Sequence, residues 1–238
     1  MRINLITKTY NESRLVPYFF RHYDQFVTNY YIWDNMSTDG TRELLSRNQR
    51  VAMFDNPETE FDDYKHRDFK NNAWKEFRNC DFIINCDFDE FLYHSAMIEL
   101  LSFYLINGIQ LVKTFGYQMY SDMFIESDKQ IYEAMNTGAR DDNYNKPIIF
   151  NPDIEPNYSF GAHEANPKGK IEWSLPEIKL LHYKMIGPEF VTDILARNKR
   201  LSERNKNEGL SVWPEEKGHR FNPYEVYENI KNNAIKVI

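Results

Sequence analysis

Along the first ninety positions, short apolar blocks alternate with longer amphipathic stretches. RINLIT at 2–7 is read as a buried strand. Asn11 then stands where a helix N-cap belongs, and Leu15, Val16, Phe19, Phe20 and Tyr23 follow at helical spacing. NYYIW at 29–33 predicts a second strand ending at Asp34, VAMF at 51–54 a third and FIINC at 82–86 a fourth. DNMSTDGTRELL is a turn running into a helix start, with Gly40 able to take a positive φ. Residues 62–79 read as a helix with Phe69, Ala73 and Phe77 on one stripe. Strand and helix alternate roughly every 25–30 residues, the pattern of a parallel sheet with helices on both faces.

After residue 95 the pattern predicts a helix with Ile98, Leu101 and Leu105, then a strand near 110–115. Residues 120–170 are irregular and rich in Asn, Asp, Pro and Gly; loops this long in a compact domain are usually binding loops or lids. EIKLLHY at 177–183 predicts another strand, 188–207 a helix of mixed charge, and 221–238 an amphipathic helix. No repeat, low-complexity linker or clear domain boundary is visible.

The 238 residues suffice for one large domain with a sizeable core. Aromatic residues make up 16%, enough to line clefts as well as the core. The net charge of −7 argues against broad binding to a phosphate backbone, so no nucleic-acid partner is expected. Cys80 and Cys86 flank one predicted strand, too far apart in an extended chain for a relaxed bridge; free thiols and a reducing, cytoplasmic setting are expected. MRINLITKTY has too short an apolar run for a signal peptide, and no stretch approaches the ~20 apolar residues of a membrane span. The expected location is cytoplasmic, at most peripheral to the inner face of a membrane.

The sharpest chemical signal is FIINCDFDEFLYH, 82–94, where an apolar strand runs into Asp87, Asp89 and Glu90. Like charges this close repel unless something positive sits among them. In an extended strand Asp87 and Asp89 point to one side and can face one ligand together. Two hard carboxylates suit Mg²⁺ or Mn²⁺, with substrate phosphates completing the shell. The plainer alternative is a solvated acidic turn. TYNE, DNMSTDG and DFDE each follow a predicted strand, and ligands of such sheets bind at strand carboxyl ends.

TYNESRLVPYFFRHY, YYIWDNMSTDGTRELL, INCDFDEFL and LLHYK, in this order and spacing, resemble the family 2-like glycosyltransferases of the GT-A fold, in the branch with DN-x-S-x-D-G-T and D-x-D-E-F motifs. The resemblance covers roughly residues 1–200. It implies an α/β, GT-A-type, Rossmann-like, mostly parallel sheet with helices on both faces. A nucleotide-sugar-binding and catalytic domain would span 1–185, with 186–238 as a C-terminal helical extension packed on it. The implied reaction moves a sugar from a nucleoside-diphosphate donor, UDP being the first guess, to a hydroxyl of a glycan or lipid-linked saccharide acceptor, with inversion and with Mn²⁺ or Mg²⁺.

Carried over by position, Thr9, Tyr10, Asn11 and Glu12 would cradle the base, with Tyr10 stacking on it and Asn11 or Glu12 reading its edge. Asp34 would contact base or ribose, and Lys70 and Asn71, with Arg67 behind them, the diphosphate. Asp89 would hold the metal, with Asp87 directly or through water, and His182 would complete the shell or contact phosphate. Glu164, in FGAHEANP, would be the catalytic base, with Asp122 as the alternative; Glu90 would serve the acceptor side or orient the metal ligands. His163–Glu164 replaces the family's more usual Glu–Asp pair.

Two other readings compete. A haloacid-dehalogenase-like phosphatase also places D-x-D after a buried strand, with the first Asp as nucleophile. Here Phe91 stands where Thr or Val is expected, and the motif lies mid-chain. An inactive nucleotide- or carbohydrate-binding module is the other. The basic run Lys184, Arg197, Lys199, Arg200, Arg204 and Lys206 reads as a solvated helix face, or as a contact to an anionic membrane.

Overall fold

The computed structural model describes residues 1–215, 219 and 222–238. Its first half is strand–helix alternation: β1 Ile3–Thr9, α1 Val16–Tyr23, β2 Asn29–Asp34, α2 Thr41–Leu45, β3 Val51–Asp55, α3 Asp63–Asn72 and β4 Phe82–Ile84. The second half is finer grained: β5 Glu90–Tyr93, α4 Met97–Ile106, β6 Leu111–Val112, β7 Thr114–Ser121, α5 Ile131–Ala134, β8 Thr137–Arg140, β9 Ile149–Phe150 and β10 Ile178–Ile186. The chain closes with α6 Glu189–Lys199, α7 Glu203–Glu208, α8 Pro223–Asn233 and β11 Ile235–Lys236.

The strands form two sheets rather than the single one expected, ordered β3-β2-β1-β4-β9-β6 and β11-β8-β7-β10-β5. In the first, β3, β2, β1 and β4 run parallel, and β9 inserts antiparallel between β4 and β6. The chain leaves β1 toward β2 and β3 on one side and returns to β4 on the other, so the carboxyl ends of β1 and β4 flank a topological switch point. The second sheet is mostly antiparallel, with β7 and β10 its parallel pair.

Ile3, Leu5, Ile6, Ile32, Ile83 and Ile84 are fully buried or nearly so, and the aromatic residues of α1 pack on them; Phe19 stacks on Phe88 at 4.1 Å. A smaller cluster of Tyr120, Met185, Val191, Ile194, Tyr227 and Ile230 binds α6 and α8 to the second sheet. No helix among the described residues is long and apolar enough to cross a membrane.

Several boundaries move for physical reasons. Helix α1 starts after Leu15, not at Asn11, whose φ of 53° is left-handed. Asn tolerates that region, and its side chain accepts from the Thr38 amide at 2.8 Å instead of capping a helix. The predicted helix 62–79 is α3, capped by Asp62 through the amides of Tyr64 and Lys65, and then a 3₁₀ turn at Ala73–Phe77. In α4 Leu101 is buried but Ile98 is exposed, because the buried face runs through Met97, Leu100, Leu101 and Tyr104. The helix expected over 188–207 breaks at 200–202 into α6 and α7. The expected C-terminal helix ends at Asn233, and β11 then pairs with β8; the start expected at residue 221 lies outside the described residues. Cys80 and Cys86 are free thiols.

Candidate functional site

The strand-end loops do converge. Asn35 donates its amide to the Thr9 carbonyl at 2.8 Å, and the Asn11 amide donates to Ser37 Oγ at 2.9 Å. The Glu12 amide reaches Thr41 Oγ1 at 2.8 Å, tying the β1 loop to the start of α2. The Glu12 carboxyl lies in the field of Asp89 and Lys184, so this loop and the acidic turn share one space. Burial pushes Glu12 up to about 8; Lys184 pulls the other way, while Asp89, Asp39 and Asp193 push with the burial.

The acidic knot is a turn. Strand β4 stops at Ile84, the Glu90 amide donates back to the Asp87 carbonyl at 3.2 Å, and the Asp87 amide donates to Glu90 Oε2 at 2.8 Å. The expectation that Asp87 and Asp89 face one ligand together required an extended strand, and the turn parts them. Asp87 Oδ1 meets Lys70 Nζ at 2.8 Å and His66 Nε2 at 3.5 Å, and its Oδ2 meets Lys146 Nζ at 3.4 Å. Asp89 Oδ2 faces His182 Nε2 at 3.4 Å and Lys184 Nζ at 3.6 Å. Much of the positive charge the sequence demanded is therefore supplied by the chain itself. Burial works against Asp87, but Lys70, Lys146 and His66 overcome it and hold its carboxyl far below the ordinary range. His182 and Lys184 do the same for Asp89.

Lys146 is the residue that sequence reasoning missed. Its ammonium lies 2.6 Å from Glu90 Oε1, with side-chain exposures of 4% and 0%. Burial pulls Lys146 down, but Glu90 and Asp87 more than reverse that and push it far up. It follows a 3₁₀ turn at Asp142–Tyr144 inside the stretch expected to be irregular. Only the uncompensated carboxylates of the sequence hinted that such a cation had to exist. Glu90, being fully buried, is closed to an acceptor and orients Asp87 and Lys146.

The Asp89–His182 pair has a specific origin. Strands β5 and β10 pair antiparallel with His182 opposite Glu90, next to Asp89, and the Tyr183 amide donates to the Asp89 carbonyl at 2.8 Å. The register of β10 against β7 shifts between His182 and Met185, and across this irregularity both His182 and Lys184 reach Asp89. Gln118, opposite His182 on β7, donates through Nε2 to Asp141 Oδ2 at 3.1 Å, which leaves its Oε1 to accept from His182 Nδ1 at 2.6 Å. A ring protonated on both nitrogens donates to Gln118 and to Asp89, as the lowered Asp89 carboxyl requires; a ring with its proton on Nδ1 alone would turn an Nε2 lone pair toward the same carboxylate, and a cation between them would satisfy both. Tyr144 stacks on the His182 ring at 4.3 Å and fixes its plane.

No cluster of three or more His, Cys, Asp or Glu donors suited to a metal occurs among the described residues. Asp87 has both oxygens engaged by cations. Asp89 and His182 nevertheless fit a divalent ion, since Mg²⁺ commonly takes one or two carboxylates and leaves the rest of its shell to phosphates and water.

The remaining expected site residues divide. Thr9 is buried with its Oγ1 unpartnered. Tyr10 is 39% exposed at the mouth of the site. Asp34 is buried; its Oδ2 accepts from the Ser37 amide and from Arg42 Nη1 at 2.9 Å, and its Oδ1 has no partner. Lys70 is 1% exposed and gives its ammonium to Asp87 and the Asn85 carbonyl, so it is not open to a diphosphate as expected. Asn71 exchanges two hydrogen bonds with the Tyr158 backbone, at 2.7 and 3.1 Å, and so staples a loop. Arg67 packs over Phe160 and Tyr64.

Glu164 and His163 line a cleft of about 710 Å³ with Arg67, Phe115, Tyr158 and Trp173. Asp122 is elsewhere. It follows Ser121 at the far end of β7, about 13 Å along the strand from Gln118, and its carboxylate is paired with Tyr120 and Lys231. The basic run divides: Lys184 lies on Asp89, Arg197 over Phe61 and Arg200 over Tyr10, whereas Arg204 and Lys206 pair with Glu208 and Glu203 on the exposed face of α7. The outer part is a solvated helix face with its charges paired along the helix.

No protein-family model matches the chain, and no curated protein matches it. Among solved structures, S. aureus TarS 1-349 in complex with UDP-GlcNAc is similar at a TM-score of 0.49 and 13% identity, over 95% of this chain and 76% of that one. The same segment in complex with UDP gives 0.45 and 13%, over 95% and 75%. S. aureus TarS gives 0.45 and 12% over 87% of this chain, which spans 42% of that structure. At these values the likeness says nothing about the site.

Proposed function

We propose that the chain is a metal-assisted glycosyltransferase that moves a sugar from a nucleoside-diphosphate donor to an acceptor hydroxyl. One observation carries the reading: loops from β1, β2 and β4 meet at a switch point beside Asp89 and His182, whose Nε2 faces the Asp89 carboxylate at 3.4 Å. Residues 1–185 would bind the donor and do the chemistry, and 186–238 would form a helical extension on them.

Asp89 Oδ2 and His182 Nε2 would hold Mn²⁺ or Mg²⁺. A divalent ion, when bound, neutralises charge building on the departing nucleoside diphosphate. Tyr10 offers a ring face to the base, and Asn11 holds the loop that presents it. Lys184, its side chain 29% exposed beside Asp89, adds a second positive charge facing the diphosphate. Asp87, Lys70, Lys146 and Glu90 form a buried charge network that keeps the turn before Asp89 in shape. The 710 Å³ cleft takes the acceptor, a glycan or lipid-linked saccharide, with Trp173 and Phe115 as apolar faces for sugar rings. There the Glu164 carboxylate accepts the proton of the attacking hydroxyl, and in-line attack inverts the anomeric centre.

Calorimetry of UDP, GDP and dTDP with and without Mn²⁺, on the wild type and Asp89→Ala, tests the donor reading. Metal-dependent binding of one nucleotide, lost in the variant, is expected. A folded protein that binds none would refute it. Glu164→Gln should abolish turnover and keep nucleotide binding; normal turnover would remove Glu164 from the role.

A further inference from the structure

Tyr10 emerges from β1 where a base is expected to stack, and one face of its ring is already covered. The Arg200 guanidinium carbon lies 3.7 Å from the ring centroid. Flat groups in contact sit about 3.5–4.0 Å apart, so a base on this face would need roughly twice the present gap between Tyr10 and Arg200. The guanidinium, planar and cationic, holds the position that the planar base would take.

What holds Arg200 there is a short strap at the break between α6 and α7. The Phe61 amide donates to the Arg200 carbonyl at 2.7 Å, and the Ser202 amide donates to the Phe61 carbonyl at 2.9 Å. Ser202 Oγ donates to Asp62 Oδ2 at 2.7 Å, and Asn205 Nδ2 donates to Asp63 Oδ2 at 2.7 Å. Arg200 itself reaches the Thr59 carbonyl at a long 3.4 Å, and Asn35, with its amide turned to suit its neighbours, accepts from it at 3.2 Å. The strap therefore joins the C-terminal helices to the β3–α3 loop through one β-bridge, Phe61 to Leu201, and the side-chain contacts on either side of it, a patch local enough to open as a unit.

We propose that Arg200 is a plug on the nucleotide site, and that a nucleoside diphosphate enters by displacing it from Tyr10 and releasing the strap at Phe61 and Ser202. This rests on the donor reading above. An occluding group reduces apparent affinity by the fraction of molecules that are open, so removing it tightens binding without adding a contact.

The test is hydrogen exchange at the Phe61 and Ser202 amides with and without UDP and Mn²⁺, together with calorimetry of UDP on the wild type, Arg200→Ala and Tyr10→Ala. Nucleotide should speed exchange at both amides. Arg200→Ala should bind UDP about 3- to 10-fold tighter, and Tyr10→Ala more weakly than the wild type. Exchange that is unchanged or slowed by a nucleotide that does bind, or weaker binding by a folded Arg200→Ala, overturns the plug and makes Arg200 a fixed wall of the site. Absence of nucleotide binding by every variant overturns the donor reading, and the plug with it.

Discussion

Lys146→Met isolates the charge balance on which the acidic turn depends. The ammonium sits 2.6 Å from Glu90 Oε1 and 3.4 Å from Asp87 Oδ2. At an effective dielectric of about 20, those attractions come to roughly 6 and 5 kcal/mol. Desolvating each ion takes back several kcal/mol. Methionine keeps the length and the apolar stem but leaves Glu90, which is 0% exposed, without its cation. Breaking a buried pair from one side costs about 3–5 kcal/mol, a large share of the ~5–15 kcal/mol that holds a typical domain together. Asp87 is cushioned, because Lys70 and His66 remain. Urea denaturation followed by fluorescence should give a lower midpoint at constant slope, with a loss of ~3–5 kcal/mol. Adding Glu90→Gln removes the orphaned charge, so the double variant should lose less than the two single losses together by about 1–3 kcal/mol. A single variant within about 1 kcal/mol of wild type, or a double variant equal to the sum of the singles, would refute the reasoning.

Three further outcomes follow from the same geometry. Gln118→Met removes the acceptor that fixes the His182 tautomer and should weaken Mn²⁺ binding in the presence of UDP by about 10- to 100-fold; unchanged affinity by calorimetry would count against His182 as a ligand. Gly116→Ala would put a Cβ 2.4 Å from the Tyr144 backbone and Cβ, so it should cost ~1–3 kcal/mol or more and also weaken metal binding, because Tyr144 stacks on His182; a neutral substitution would contradict the packing. Glu12, raised to about 8, keeps a proton in the fold that the unfolded chain loses near 4.5, so its contribution is full below that pH and is lost as pH rises through 8. Glu12→Gln should therefore melt about 4–8 °C higher relative to wild type at pH 9 than at pH 5, for ~2 kcal/mol after discounting for partial exposure; an equal difference at both pH values would refute it.

The parallel half of the fold was readable because its signal is local. RINLIT, NYYIW, VAMF and FIINC each give strand residues close to where the pattern put them, and the polar clusters behind them meet as the topology requires. Asp89 and His182 could be nominated from strand ends. The partners that set their chemistry could not. Gln118 belongs to a strand of which only the first part was apolar enough to predict, and Lys146 sits among Asn145 and Pro147, where a lysine reads as solvated. Their roles come from pairing across the sheet and across sixty residues of chain, which no periodicity records. Asp87 was misread for the opposite reason. The apolar run through Cys86 suggests that the strand continues, but the turn closed by Glu90 ends it at Ile84.

The segment 141–146 touches everything that matters. Asp141 orients Gln118, Tyr144 covers His182, Lys146 neutralises Asp87 and Glu90, and the Asn143 carbonyl meets His163 Nδ1 at 2.6 Å on the cleft wall. On the proposed function, two binding events, one in the cleft and one at Asp89, would bear on the same six residues. Linkage would then make any coupling reciprocal: whatever factor a cleft ligand applied to affinity at Asp89, occupancy at Asp89 would return to the cleft. The observable would be a donor affinity that shifts when the cleft is filled, carried by a stretch of chain that belongs to neither site alone.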